Sequence, residues 1–331
     1  MLTTATVESA LRFALDEDAP WGDITGDTFV PASASAKAVL RAREAGVFAG
    51  GEVFARAFSL VDAGVEVDVS VADGAVFSPG DTLARVSGPA RAVLRAERIA
   101  LNFCQRMSGI ATQTRAFVEA ATSNSAGHSV RIVDTRKTTP GLRAFEKHAV
   151  RCGGGHNHRF GLSDAVMVKD NHLAVLAGEG AEVAEAIRAA RARLPHTTTI
   201  EVEVDRLEQI APVLDCGADI IMLDNFSLAD LRAGVELIAG RAVVEASGNV
   251  TLDTVADIAA TGVDVISSGA LTHSMRAIDL GLDLDLSDSI DRGFEADAVP
   301  NIGAGSNIGV GSTTGAGSNT GVGSNIGAGS N

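Results

Sequence analysis

Between Arg131 and His172 the chain gathers side chains suited to binding an anion. Eight Lys/Arg (Arg131, Arg136, Lys137, Arg143, Lys147, Arg151, Arg159, Lys169) face four acids there, and four of the seven histidines (His148, His156, His158, His172) share the stretch. The 331-residue chain as a whole carries a formal net charge of -15. A cationic island in an anionic protein points to a small anionic ligand held by local charge. It argues against nucleic acid, which calls for an extended basic face.

Within the island, Arg136, Lys137, His158, Arg159 and Lys169 are the first candidates for anion binding. Arginine grips a carboxylate with two parallel bonds, whereas lysine acts as a mobile point charge. Gly153-Gly154-Gly155 frees the backbone just ahead of His158 and Arg159 for close approach to an anion. Glu203 and Asp224 each end an apolar run. They suit Mg²⁺, ribose hydroxyls or a developing carbocation, or else a plain ion pair with the basic set. Ser247-Gly248-Asn249 and Ser268-Gly269 follow late runs, where backbone N–H groups cradle phosphate in many barrels, although glycine there also serves simple turns. His156-x-His158 has no second His/Cys pair at ligand spacing, so a zinc site is not expected from it. Lys169, crowded by cations, is also a candidate Schiff-base lysine.

The elements that would position these residues follow from periodicity. Short apolar runs recur at Arg131–Val133, Ala165–Val168, Thr199–Val202, Asp219–Leu223, Ala242–Val244 and Val263–Ile266. Helical patterns at Ala181–Leu194, Leu207–Leu214, Leu228–Ile238 and Thr251–Ala259 separate most of them. Repeated strand–helix units predict a parallel sheet, and polar residues at each strand's carboxyl end predict a site at the C-terminal face of a (β/α) barrel. Only six strands are evident, so the barrel is expected to be incomplete; an open doubly wound sheet is the competing arrangement. Ahead of it, helices at Val7–Leu15 and Gly51–Val61 and strands at Val65–Val71 and Thr82–Val86 make a smaller α+β unit. A long helical pattern from Arg91 to Ala121 crosses between the two, with a break expected near Ser108-Gly109.

Bulk properties narrow the class further. Three distant cysteines (Cys104, Cys152, Cys216) without a CxxC fit a reduced, cytoplasmic protein rather than a disulfide scaffold or zinc site. The N-terminus lacks a basic region ahead of an apolar core, and no run is suited to spanning a bilayer. Residues 291–331 are expected to form a flexible tail rather than a fragment of β-helix, because from 301 onward they repeat a Gly/Ser/Asn hexad too poor in apolar area to repay ordering.

The motifs EDAPWGDITGD, AERIALNFCQRMSGIAT, DTRKTTPGLRAFEKHAV, RCGGGHNHR, VKDNH, EVEV, IMLDNF, EASGNVT and SSGALTHS, in this order, closely resemble quinolinate phosphoribosyltransferases over about residues 5–288. The resemblance implies a type II phosphoribosyltransferase architecture, α/β, with an N-terminal open α/β sandwich (1–111), an incomplete (β/α) barrel (112–275) and a segment (276–290) returning to the sandwich. It implies a homodimer in which one sandwich covers the partner's barrel mouth. The implied reaction joins quinolinate to 5-phosphoribosyl-1-pyrophosphate with Mg²⁺, giving nicotinate mononucleotide, pyrophosphate and CO₂.

By the same resemblance Arg98 is donated across the dimer, and Arg136, His158, Arg159 and Lys169 hold the two carboxylates. Lys137 stands between phosphoribosyl donor and ring, Glu203 and Asp224 serve ribose and Mg²⁺, and Ser247, Gly248, Ser268 and Gly269 cradle phosphate. Two residues depart from the family pattern: His148 replaces a frequent Tyr and Asn249 a frequent Gly. Three alternatives remain at this point: a paralogue acting on another pyridine or pyrimidine acid, a non-catalytic anion binder, and a Schiff-base aldolase using Lys169.

Overall fold

The computed structural model describes residues 2–123, 129–169, 171, 172, 175 and 183–285; the hexad tail lies outside them. The first layer starts with helix α1 (Thr4–Asp18), whose buried Val7, Leu11 and Leu15 recur every four residues. The Thr3 hydroxyl caps it by accepting from Thr6 N–H at 3.2 Å. After α2 (Ile24–Phe29) come β1 (Ser35–Ala42), β2 (Gly46–Val47), α3 (Gly51–Val61), β3 (Glu66–Val69), β4 (Val76–Phe77) and β5 (Thr82–Pro89). Neither α2 nor β1 shows in the sequence pattern, because β1 (SAKAVLRA) does not alternate.

Helix α4 (Ala90–Ser123) is continuous for 34 residues, which corrects the expected break at Ser108-Gly109. Both residues serve close packing instead. A Cβ on Gly109 would lie 2.2 Å from the Arg276 carbonyl oxygen, so only glycine lets that segment cross. The buried Ser108 hydroxyl accepts from Ala49 N–H at 3.1 Å.

The second layer runs β6 (Arg131–Val133), α5 (Arg143–Cys152), β7 (Val166–Val168), α6 (Val183–Arg193), β8 (Ile200–Val204), a 3-10 turn at Leu207–Gln209, α7 (Ile210–Asp215), β9 (Ile220–Asp224), α8 (Leu228–Ile238), β10 (Val243–Ser247), α9 (Val255–Ala259), β11 (Val265–Ser267) and α10 (Ala270–His273). Its six strands are all parallel, in the order β6-β11-β10-β9-β8-β7. Read from β7, each strand lies beside its successor, and β11 then meets β6. That circular order is a barrel opened between β6 and β7, and it excludes a doubly wound sheet, whose order reverses at a switch point. His156 lies in the opening, bridged in parallel to Val133.

Strand β12 (Leu280–Leu284) returns to the first layer and pairs antiparallel with β1, giving a four-stranded sheet β12-β1-β5-β3. One continuous set of buried apolar side chains runs from Val7 and Phe54 through Ile110 on α4 to Val202 and Ile221 in the barrel. The layers therefore share a core, with α4 as its spine.

Candidate active site

Every strand of the barrel ends in, or is followed by, a polar residue, and five of the six by a candidate. Asp134 follows β6, Lys169 follows β7, Glu203 is the fourth residue of β8, Asp224 and Ser247 close β9 and β10, and Ser268-Gly269 follows β11. Because all six strands are parallel, these residues share the C-terminal rim.

The loop after β6 carries Arg136 and Lys137, both exposed. Among the described residues neither side chain has a hydrogen-bond or ion-pair partner. The loop backbone beneath them is fixed. Lys137 N–H donates to the Thr135 hydroxyl at 3.0 Å, and the Lys137 carbonyl accepts from the Thr272 hydroxyl at 2.7 Å. A Cβ on Gly269 would come within 2.9 Å of Lys137 Cδ, so the lysine stem lies against the Ser268-Gly269 backbone. Ser268 itself is buried, its hydroxyl donating to the Val250 carbonyl at 3.0 Å.

On the far side of the rim, the loops after β9 and β10 interlock. Asn225 N–H donates to the Ser247 carbonyl at 2.9 Å, and Asn249 Nδ2 to Asn225 Oδ1 at 3.0 Å. A Cβ on Gly248 (φ 90°) would fall 2.2 Å from Asn225 Oδ1. Asn225 and Asn249 have φ of 58° and 49°. Asn tolerates this left-handed region better than most residues, which accounts for Asn249 where the family often has Gly. Asp224 accepts from Asn225 Nδ2 at 2.7 Å.

Glu203 and Lys169 form an ion pair across β8 and β7. That engages the amine a Schiff base would need free. Arg159 donates to the Ala165 carbonyl at 3.3 Å and lies against the Met167 sulfur. Arg98 is exposed on α4, and among the described residues no hydrogen bond or ion pair joins it to the other candidates.

His158 is placed differently from the rest. Its Nε2 lies 3.2 Å from Glu201 and 3.5 Å from Glu245, two acids nearly shut from solvent inside the barrel. Its Nδ1 accepts from Arg159 N–H at 2.6 Å. Both ring nitrogens are thus occupied within the protein. Burial pulls the imidazolium down, but Glu201 and Glu245 outweigh it and hold its pKa up to about 10. The backbone N–H on Nδ1 opposes a proton there, so Nε2–H is the proton both ring forms retain. Glu201 is raised by burial and by Glu245, against the pull of His158.

Sequence reasoning missed Glu201 and Glu245. The signal was the strand EVEV itself: a two-residue period puts Glu201 and Glu203 on one face, toward the barrel axis. It also missed the frame under the 134–139 loop. Buried Asp134 pairs with Lys147 of α5 and accepts from Asn157 Nδ2 at 2.6 Å and His158 N–H at 2.9 Å. Burial pushes its carboxyl up, opposed by those three donors. Glu146 accepts from Arg106 Nη2 at 2.6 Å and from Thr139 N–H at 3.2 Å.

Hard oxygen donors on adjacent strand ends, Glu203 and Asp224, fit a Mg²⁺ that keeps several waters and binds a polyphosphate. This is the chemistry of the donor set; Lys169 holds one Glu203 oxygen.

The family model described as quinolinate phosphoribosyl transferase, N-terminal domain, matches residues 23–108, and that of the C-terminal domain matches residues 110–283. The chain is 44% identical over 280 residues to a nicotinate-nucleotide pyrophosphorylase [carboxylating] of Mycobacterium leprae, covering 83% of this chain and 95% of the relative. It is 41% identical over 271 residues to a probable nicotinate-nucleotide pyrophosphorylase [carboxylating] of Bacillus subtilis, covering 82% and 91%. The crystal structure of NadC from Streptococcus pyogenes superposes with a TM-score of 0.80 at 43% identity, covering 86% of this chain and 98% of that one. The chain belongs to the quinolinate phosphoribosyltransferase family.

Proposed function

We infer that this enzyme transfers phosphoribosyl from 5-phosphoribosyl-1-pyrophosphate to quinolinate and decarboxylates the adduct. The products are nicotinate mononucleotide, pyrophosphate and CO₂, a step of de novo NAD synthesis. The observation that carries the reading is the family match over both layers, joined to two cations, Arg136 and Lys137, that have no side-chain partner among the described residues and stand beside a glycine-lined rim.

The chemistry assigns roles to the rim. A dicarboxylate and a polyphosphate together require several cations, met by Arg136, Lys137, Arg159 and Lys169. Half-buried backbone at Gly248 and Gly269, with Ser247 and Ser268, suits the ribose 5-phosphate. Mg²⁺, when bound at Glu203 and Asp224, would supply charge neutralisation of the leaving pyrophosphate. As the anomeric C–O bond breaks, positive charge grows at that carbon; Glu203 and Asp224 are fixed carboxylates that would stabilise it. Holding the ring nitrogen in line with that carbon removes much of the entropic barrier. The C2–carboxylate bond then breaks, its electrons remaining on C2 beside the ring cation until a proton arrives. Lys137 is the group we assign to deliver it. His158 acts through Arg159, its ring locked by Glu201 and its Nδ1 lying 2.6 Å from the Arg159 backbone nitrogen.

A homodimer is supported by exposed Phe13, Trp21, Ile24 and Phe29 on and beside α1 and α2, an apolar surface that a second copy would cover, and by Arg98 standing apart from its own rim. No helix among the described residues is long and apolar enough to cross a membrane; we assign the enzyme to the cytoplasm from its unpaired cysteines.

The test is an assay with quinolinate, phosphoribosyl pyrophosphate and Mg²⁺ that follows quinolinate loss and release of pyrophosphate and CO₂. Stoichiometric release of both, slowed by about 10²–10³ in Lys137→Ala, is expected. Nicotinate consumed in place of quinolinate, without CO₂, would overturn the substrate assignment.

A further inference from the structure

Away from the rim, a second group of reactive side chains meets where α5 touches the first layer. His148 and Cys152 lie one helical turn apart on α5, so they share a face. Opposite them is Asp73, in the turn between β3 and β4. Both converge on one oxygen: His148 Nε2 is 2.7 Å from Asp73 Oδ2, and Cys152 Sγ is 3.8 Å from it.

The carboxylate is held for this position. Its other oxygen, Oδ1, accepts from Gly50 N–H and Gly51 N–H, each at 3.0 Å, at the start of α3. Gly74 (φ 90°) brings the turn so near that a Cβ would lie 3.2 Å from the Cys152 carbonyl. The Asp73 carboxyl is kept below its usual range: burial works against ionisation, but His148 and the two backbone donors prevail. The His148 and Asp73 side chains are 33% and 29% exposed, so an ion could reach them from solvent.

We propose that Asp73, His148 and Cys152 form a divalent metal site, suited to Zn²⁺, that clamps α5 to the β3–β4 turn. One imidazole nitrogen, one thiolate and one carboxylate oxygen are a borderline-soft donor set, which selects Zn²⁺ over Mg²⁺ or Ca²⁺. Three protein ligands leave a fourth tetrahedral position to water. With ordinary Zn–N, Zn–O and Zn–S bonds, the tetrahedron's N···O and S···O edges are about 3.3 and 3.5 Å. The structure's 2.7 and 3.8 Å bracket these values. Hydrogen bonds close the cluster, and an ion would widen the N···O edge by about 0.6 Å and shorten the S···O edge by about 0.3 Å. Binding releases the thiol proton to solvent: Asp73 carboxylate, neutral His148 and Cys152 thiolate then balance the two charges of the ion. Because the thiol must lose its proton to bind the ion, affinity should rise with pH. The hydrogen bonds from Gly50 and Gly51 orient the carboxylate as outer-shell partners do in metal sites.

The test uses the full-length protein stripped with a chelator and then titrated with Co²⁺ as a probe, in the presence of excess Mg²⁺. One equivalent of Co²⁺ should produce a thiolate-to-cobalt charge-transfer band, displaced by Zn²⁺. His148→Gln and Cys152→Ser keep a hydrogen bond to Asp73 yet lose a ligand, and both should lose the band; Cys104→Ser should retain it. Saturating Zn²⁺ should raise the melting temperature by roughly 5 °C in the parent protein and not in His148→Gln. Quinolinate turnover of His148→Gln should match the parent. No thiolate band, or a band that survives in His148→Gln or Cys152→Ser, would overturn the site and leave the assigned reaction untouched.

Discussion

Lys137 and Lys147 stand ten residues apart in the same cationic island, and the fold gives them opposite conditions. Lys147 is buried on α5, paired with a buried Asp134 and donating also to the His158 carbonyl at 3.2 Å. Lys137 is exposed above the rim, with a fixed backbone and no side-chain partner among the described residues. The first charge is consumed in holding the 134–158 frame. The second is held ready by that frame for a charge that arrives with substrate. Net charge along a sequence does not separate these two uses; burial and partners do.

Replacing each lysine in turn sharpens the contrast most. Lys147→Met leaves Asp134 buried without its counter-charge and should cost about 3–5 kcal/mol of stability, read by urea denaturation. Lys137→Ala should change stability by less than about 0.5 kcal/mol, since nothing buried depends on it. Turnover, however, should fall by about 10²–10³, the scale for losing one preorganised charge at a reacting centre. A folded, fully stable Lys147→Met protein would erase the distinction drawn between them.

The same contrast explains what was legible in the sequence. The barrel strands and the rim residues that end them were readable because local periodicity marks both, and Gly51–Val61 and Leu228–Ile238 match the observed α3 and α8. The pairing of β12 with β1 was not readable from pattern, since it joins residues some 240 positions apart. Helix α5 was overlooked because RAFEKHAVRC turns Glu146 and Lys147 inward, against the rule that such residues stay outside. Glu201 and Glu245 were hidden likewise: charged residues inside a barrel break the usual apolar layering. Local logic fails at the places where charges are buried to support the site.

Steric closeness at the rim gives the next effect. Gly248→Ala sets a Cβ against Asn225 at a left-handed φ, and should cost about 2–3 kcal/mol. Because Asn225 follows Asp224, kcat should fall with it. Unchanged kcat would mean that the two loops move independently.

The buried acids should separate by pH. His158 is raised in the fold to about 10, so its contribution is fully present below its ordinary unfolded value and is lost as pH climbs from there toward 10. Glu201→Gln should remove about 1–2 kcal/mol at neutral pH and bring that loss to lower pH. Glu245→Gln should do less, because Glu245 lies 3.5 Å from Nε2 against 3.2 Å for Glu201 and its charge opposes that of Glu201. Thermal melts from pH 6 to 10 would distinguish them; equal effects would show that His158 makes no choice between the two acids.

The smallest effect belongs to Asn249, exposed at the rim with a φ of 49°. Asn249→Gly relieves the left-handed strain but loses the bond to Asn225 Oδ1, so stability should move by less than about 0.5 kcal/mol. Asn249→Ala keeps the strain and loses the bond, and should cost about 1–2 kcal/mol. If Ala were tolerated as well as Gly, backbone conformation would not be what selects the residue here. The asparagine would then be kept for its side-chain contact with Asn225, and through it for the placement of Asp224.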